Sequence, residues 1–299
     1  MPDQPLVSII INCFNGEKYL RKAIDSVINQ TYKNWEIIFW DNQSKDNTAK
    51  IFNSYKNPRL KYFYSPEHTT LYKARNFAMK NCEGEFISFL DSDDWWVPEK
   101  LEKQMKLFNN DEIGLVYSNY YIYDEDTQKK KLAFNNLPSG LVTNSLIKHY
   151  RVGIITVIVR KKILDNVSEG FNNKYNMIGD FDCILRLSKF NKFGCIQEGL
   201  AYWRSHKNNS TYVNYELEIK ELEFWLKNQN IFEKEKIDVV GKAIRLKITY
   251  MNTIDNILKG KLKEAFKNII YYPLSINKLK LIVAFLMPRK LLKKKVFNQ

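Results

Sequence analysis

Apolar and polar positions follow two rhythms over the first ninety residues. Val7 to Asn12 and Trp35 to Trp40 are short runs dominated by β-branched and aromatic side chains, the pattern of strands buried on both faces. Leu60 to Tyr64 and Glu85 to Leu90 repeat it. Between these runs the period lengthens. Leu20, Ala23, Ile24, Val27 and Ile28 recur at helical spacing within Tyr19 to Gln30. Asp46-Asn47-Thr48 supplies capping residues for a helix to about Tyr55, and Leu71 to Cys82 reads as a third helix closed by Glu83-Gly84.

This βαβαβαβ order predicts an α/β fold with a mostly parallel central sheet flanked by helices. In such sheets ligands bind beyond the carboxyl ends of the strands. Asn12, Asp41 and Asp91 to Asp93 therefore share one rim. Further on, Leu115 to Tyr123, Ile154 to Val159 and Gly199 to Trp203 read as strands, and Asp180 to Phe190 as a short helix. From about Thr211 the pattern is helical to the end. The expected organisation is an α/β domain over 1–211 and a helical region over 212–299.

Composition sharpens the second part. The 299 residues carry a formal charge of +14, of which +12 lies from Gly241 onward, where 14 Lys or Arg face only Asp255 and Glu264. That asymmetry points to an anionic surface as partner. Cys13, Cys82, Cys183 and Cys195 lack zinc-ligand spacing. No signal peptide is expected. The longest apolar run, Leu281 to Met287, is far short of the ~20 residues a membrane span needs. A cytoplasmic setting is the simplest one.

The candidate chemistry sits at the rim. Asp91 and Asp93, two apart after a buried strand, point the same way in extended chain and suit a hard cation, Mn²⁺ or Mg²⁺, that shares its site with phosphates. A solvated acidic turn fits the same spacing. Asp41 ends another strand and suits a ribose or base. Arg75, within a helix, offers a planar fork for phosphate, although an exposed helix arginine is the usual case. Asp180 opens its helix as an N-cap or serves as a general base. His206 is one of three histidines and suits a metal or diphosphate.

Six segments in order resemble the family-2 inverting glycosyltransferases of GT-A fold: Val7 to Asn15, Trp40 to Asp46, Lys73-Ala74-Arg75-Asn76, Phe89 to Asp94, Gly179-Asp180-Phe181-Asp182 and Tyr202 to His206. They cover roughly residues 5 to 211. The resemblance implies a nucleotide-sugar donor held by Asn12, Phe14, Asn15, Asp41, Arg75, Asp91 and Ser92. It implies Asp93 and His206 at the metal and Asp180 as the base. Three departures stand out: Asn12 for a proline, Asn42-Gln43 for Asp-Gly, and Gly179 for the acid before the base. The Gln-x-x-Arg-Trp motif of processive synthases is absent, so single transfers are expected.

The expected reaction is metal-dependent transfer from a nucleotide sugar, UDP-linked by resemblance, to a glycan or lipid-linked acceptor in cell-surface polysaccharide synthesis. The basic, apolar stretch from Lys278 to Phe297 is expected to hold the protein peripherally on an anionic inner membrane face. Two other classes remain open at this level. One is a non-catalytic sugar-nucleotide-binding protein on the same fold. The other is a basic nucleic-acid-binding module, against which the absence of any binding motif counts. Self-association through the last helices is also open.

Overall fold

Eight strands form one hydrogen-bonded path in the order β3-β2-β1-β4-β8-β6-β9-β5, with β7 pairing β6. The strands are β1 (Val7–Cys13), β2 (Trp35–Asp41), β3 (Leu60–Tyr64), β4 (Phe86–Phe89), β5 (Trp95–Trp96), β6 (Ile113–Asp124), β7 (Lys130–Leu132), β8 (Ile158–Arg160) and β9 (Lys192–Ser205). This is a computed structural model that describes residues 4–165, 170–209, 214–228 and 234–292, with the side chains of 234–240 left out of the description. The chain divides into two compact units, Met1–Arg204 and Ser205–Gln299. The expected break after 211 falls outside the described residues.

The first four strands run parallel, as the alternation requires. β1 lies between β2 and β4, and β3 flanks β2. Every residue of β1 and β2 is buried, which explains their near-continuous apolar sequences. The connecting helices are α1 (Leu20–Ile28), α2 (Thr48–Asn53) and α3 (Leu71–Met79). α1 turns Leu20, Ala23, Ile24 and Val27 inward, a 3.6-residue stripe against the sheet.

The second half of the sheet is antiparallel. β8 pairs β4 and β6, and β5 pairs β9. The run from Ile154 to Val159 splits there. Ile154–Thr156 forms a 3-10 turn and only the end joins β8. The short helices α4 (Lys100–Met105), α5 (Thr143–Lys148) and α6 (Lys161–Asp165) interrupt this half, and α7 (Gly179–Ser188) precedes β9.

The second unit contains α8 (Tyr215–Asn228), α9 (Lys234–Lys259), α10 (Leu262–Tyr271) and α11 (Ile276–Leu286). Its core joins Ile254 and Ile257 of α9, Ala265 and Ile269 of α10, and Leu281 and Ala284 of α11. Among the described residues no helix is long and apolar enough to cross a membrane.

Among the described residues of the first unit, Lys100 is a cation buried without an ion pair. Lys100 is fully buried; its ammonium has Ser88 Oγ at 3.4 Å and lies 3.9 Å from the Trp96 ring. Desolvation holds its pKa well below the ordinary 10.5. The unfolded chain thus binds a proton that the folded chain resists. That penalty is largest at low pH and fades as pH approaches 10.5. Lys100→Met should therefore raise the melting temperature at neutral pH, by an amount corresponding to about 2 kcal/mol. The gain should shrink as thermal melts are repeated at rising pH.

Candidate active site

The parallel register brings the rim together. Cys13 at the end of β1 is level with Asp41 at the end of β2, and β4 delivers Asp91 to Asp94 just beyond β1. Backbone and side chains then lock the loops. Asn15 adopts a left-handed conformation (φ 54°), and its side-chain oxygen accepts the Lys45 N–H at 2.8 Å while its own N–H donates to Ser44 Oγ at 2.9 Å. Asparagine tolerates this conformation better than most residues. Gly16 lies against Cys13, where a Cβ would sit 2.3 Å from the sulfur and 3.3 Å from Ser92 Oγ. Burial raises the Cys13 thiol to about 12, which disfavours the nucleophilic thiolate.

Asp41 is fully buried. One carboxylate oxygen accepts the Ser44 N–H at 2.7 Å, closing the turn, and the other accepts the Tyr62 hydroxyl at 2.7 Å. Each oxygen retains a lone pair for a base or ribose. The Asn42 substitution has a structural use. Its amide donates to Thr69 O at 2.8 Å and accepts from Thr69 N at 3.1 Å. A carboxylate could do only the second. Gln43 stands at φ 69° where the family pattern has glycine, and its amide reaches Pro66 O at 3.1 Å. Phe14 is half exposed beside His68, their rings 4.4 Å apart, an apolar ledge at the rim. Asn12 is 8% exposed, and neither atom of its carboxamide has a hydrogen-bond partner. Buried polar groups in that condition are uncommon and suit a ligand contact.

Arg75 is the largest surprise. It is 3% exposed rather than on the helix surface, and its Nη2 pairs with Asp91 Oδ1 at 2.5 Å. It lies on the face of α3 shared with Leu71 and Ala78, so helical spacing contained the signal. Burial works against its charge, but Asp91, Tyr72 and Asp180 outweigh it and raise the guanidinium pKa. On the partner, burial raises the Asp91 carboxyl against the pull of Arg75, with Asp93 adding to the rise.

The same cluster holds Asp180. It lies inside the first turn of α7, whose N-cap is Ile178, so the capping role expected of it is not used. Tyr72 of α3 donates its hydroxyl to Asp180 Oδ1 at 3.0 Å. Desolvation raises the Asp180 pKa, opposed by the Phe181 N–H, Arg75 and Tyr72. A partly buried carboxylate with a raised pKa is suited to general-base work near neutral pH.

Two residues of the resembling segments, given no role of their own there, fix the other side. Arg204, near the end of β9, donates its backbone N–H to Asp94 Oδ1 at 2.7 Å and its Nε to Asp93 O at 2.8 Å. Its guanidinium lies over Tyr19 and Trp95 at 4.4 and 4.6 Å. Asp94 is 1% exposed, and burial, then Asp93 and Asp91, push its carboxyl well up. Their job is to hold the chain at Asp93.

Asp93 fits a hard divalent cation of the kind that relies on one or two carboxylates and completes its shell with water and substrate phosphate. Arg75 already occupies Asp91, which leaves Asp93 as the better ligand of the two. Among the described residues no three His, Cys, Asp or Glu side chains converge as a complete protein cage. His206 belongs to the second unit. Its Nδ1 accepts the Asn208 N–H at 3.2 Å, and its Nε2 faces the Asn209 carboxamide nitrogen at 3.5 Å.

Comparison with known proteins gives a consistent context. The model of Glycosyl transferase family 2 matches residues 8–167. The chain is 34% identical over 197 residues to UDP-Glc:alpha-D-GlcNAc-diphosphoundecaprenol beta-1,3-glucosyltransferase WfgD of Escherichia coli, covering 66% of this chain and 75% of that one. It is 33% identical over 172 residues to the Escherichia coli enzyme WfaP, described in the same words, covering 56% and 66%. Among solved structures, S. aureus TarS 1-349 in complex with UDP superposes with a TM-score of 0.64 at 18% identity, covering 98% of this chain and 92% of that one. The mannosyltransferase PcManGT from Pyrobaculum calidifontis, in complex with GDP-Man and Mn²⁺, gives 0.64 at 13% identity, covering 94% and 79%. At these identities the structural likeness speaks for the fold, which is GT-A.

Replacing Asp91 by Asn would leave the Arg75 guanidinium buried and unpaired. Asp91→Asn should destabilise the protein by about 3 kcal/mol, read as a lower midpoint in urea with unchanged slope.

Proposed function

The chain belongs to glycosyl transferase family 2, and on that premise we propose that it transfers a hexose from a UDP-linked donor to a lipid-diphosphate-linked glycan, inverting the anomeric centre. The observation that carries this reading is the continuous polar cluster from Asp91 through Arg75 and Tyr72 to Asp180. It supports a donor end and a base end within one site.

The roles follow from chemistry. Phe14 offers a face for the nucleobase, Asp41 an acceptor for base or ribose hydrogens, and Asn12, Asn15 and Ser92 polar contacts around the sugar and diphosphate. Asp93 would hold Mn²⁺ or Mg²⁺. When bound, that ion offsets charge developing on the departing diphosphate. Arg75 pairs with Asp91 and orients it at the sugar. Asp180 removes the proton of an acceptor hydroxyl. The hydroxyl oxygen then bonds to the anomeric carbon as the bond to the diphosphate oxygen breaks, UDP leaving with those electrons. One displacement converts an α-linked donor to a β-linked product.

UDP-glucose and a GlcNAc-diphosphate lipid are the first substrates to try, since relatives named for them are 33 and 34% identical. The presence of both Asp93 and Asp180 favours an enzyme over a non-catalytic binding protein. Asp180→Asn should lower transfer at least a thousandfold while UDP-sugar binding, measured by calorimetry, stays within about twofold. Transfer at the wild-type rate would remove Asp180 from the base role.

A lipid-linked acceptor requires a membrane surface, and the second unit supports peripheral docking in a cell-surface polysaccharide pathway. Leu262, Phe266 and Ile270 form an exposed stripe on α10, and Ile276, Leu279, Val283 and Leu286 form another on α11. Phe266 meets Phe285 at 5.9 Å, so α10 and α11 pack beside one another. Lys263, Lys267, Lys280, Arg289 and Lys290 accompany them. Lys293 to Lys295 of the expected basic tail lie outside the described residues. Because Leu281 and Ala284 of α11 are core, the test is substitution rather than truncation. Phe266→Ser with Leu279→Ser and Leu286→Ser should abolish flotation with phosphatidylglycerol vesicles while leaving the melting temperature near wild type. Undiminished flotation would exclude this face.

A further inference from the structure

Gly179 and Tyr72 form a fitted pair. A Cβ on Gly179 would lie 2.4 Å from Tyr72 Cδ2, 2.6 Å from Cγ and 2.7 Å from Cε2. The phenol ring therefore lies flat against the α7 backbone, in space that any other residue at 179 would claim. From there its hydroxyl reaches Asp180 Oδ1 at 3.0 Å, with Met177 O as a longer alternative at 3.3 Å. The ring is 3% exposed and packed by Phe171, with centroids 5.3 Å apart, and by the Arg75 guanidinium at 5.4 Å. It has little freedom to point elsewhere. We infer that Tyr72 is the positioning residue for the Asp180 carboxylate, and that position 179 is glycine so that the phenol can occupy the flank of the base. This rests on the reading of Asp180 as the general base.

The chemistry is that of a fixed donor beside a proton acceptor. A phenol hydrogen bond to Oδ1 stabilises the carboxylate more than the neutral acid. It also commits Oδ1, so that Oδ2 is the atom presented to the acceptor hydroxyl. Once Asp180 has taken the proton, its carbonyl-like oxygen is a poorer acceptor and the bond to Tyr72 weakens. The hydroxyl thus favours the form of Asp180 that is ready to act. Sequence shows Gly179 only as a departure from an acid. The structure shows which side chain fills its place.

Several titratable groups face Asp180. Tyr72, Arg75 and Asp91 act on it directly, and Tyr150, Tyr120 and Cys183 feel its charge in turn. On α7 itself Asp182 pairs with Arg186 at 2.9 Å. Of these, Tyr72 is the side-chain hydrogen-bond partner of Asp180, and Tyr72→Phe removes that bond while keeping the ring, its packing and every other charge.

The test reads the carboxyl itself in the full-length protein. With aspartate labelled by ¹³C at Cγ, the Asp180 resonance is assigned by its loss in Asp180→Asn, and its midpoint is followed by pH titration. In Tyr72→Phe the midpoint should move to higher pH, with the near-UV circular dichroism spectrum retained. In Gly179→Ala, where the phenol is intact but displaced, the midpoint should move the same way. With UDP-glucose and a GlcNAc-diphosphate lipid, Tyr72→Phe should lower kcat roughly fivefold to tenfold with little change in donor KM. The acid limb of its pH profile should shift upward in step with the midpoint. An unchanged midpoint in Tyr72→Phe overturns the positioning role, and an unchanged midpoint in Gly179→Ala overturns the reason for the glycine. Full activity in Asp180→Asn would instead strike the base assignment, so the two failures are separable.

Discussion

A guanidinium removed from water must be neutralised where it stands, and the first unit is arranged around that demand. Arg75 is buried by the packing of α3 on the sheet, and Asp91 is the carboxylate that meets it. An unpaired charge at that depth would cost several kcal/mol. The end of β4 is therefore pinned to α3, and with it the segment through Asp94. Arg204 pins the same segment from the opposite side through Asp94 and the Asp93 carbonyl. The backbone at Asp93 is thereby held on both flanks. On α3, one turn before Arg75, Tyr72 carries the cluster across to α7. In the proposed roles, the donor end and the base end thus share one helix.

This arrangement suits a transferase because preorganisation is what the proposed single displacement requires. The groups that meet developing charge should be in place before reaction, since moving them during it adds to the barrier. Ion pairs and hydrogen bonds to buried backbone meet that requirement better than exposed side chains. The loops at the rim are fixed in the same way, by Asn15 at positive φ, by the Asn42 bridge to Thr69 and by the Asp41 turn.

The parallel half of the fold was legible because its strands are buried on both faces and its helices show a clean period. The rim followed from topology. The antiparallel half was less so, for physical reasons. β5 is two residues long, β7 is wholly exposed, and the run at Ile154 bends into a 3-10 turn before joining the sheet. Long-range pairing decides such elements, and local pattern does not carry it. Among site residues, Asp41, Asp91 and Asp180 were marked by their positions at strand or helix ends. The burial of Arg75 was present in the spacing of α3, but an arginine at an inward position reads as an exception until its partner is seen. Tyr72 gave no local sign, and Asp94 and Arg204 stood in the resembling segments without a role of their own, since their partners lie 108 and 110 positions away. The same holds for Lys100, which a charge-based reading places at the surface.

The central claim is an inverting transfer by a family 2 glycosyltransferase, and product stereochemistry tests it most directly. The full chain would be incubated with Mn²⁺, a GlcNAc-diphosphate lipid and a panel of UDP-hexoses led by UDP-glucose. The anomeric proton coupling of the new linkage would then be read by NMR. The account predicts a β-linked product from an α-linked donor, with one UDP released per linkage formed. An α-linked product, or no linkage formed from any member of the panel, would contradict it.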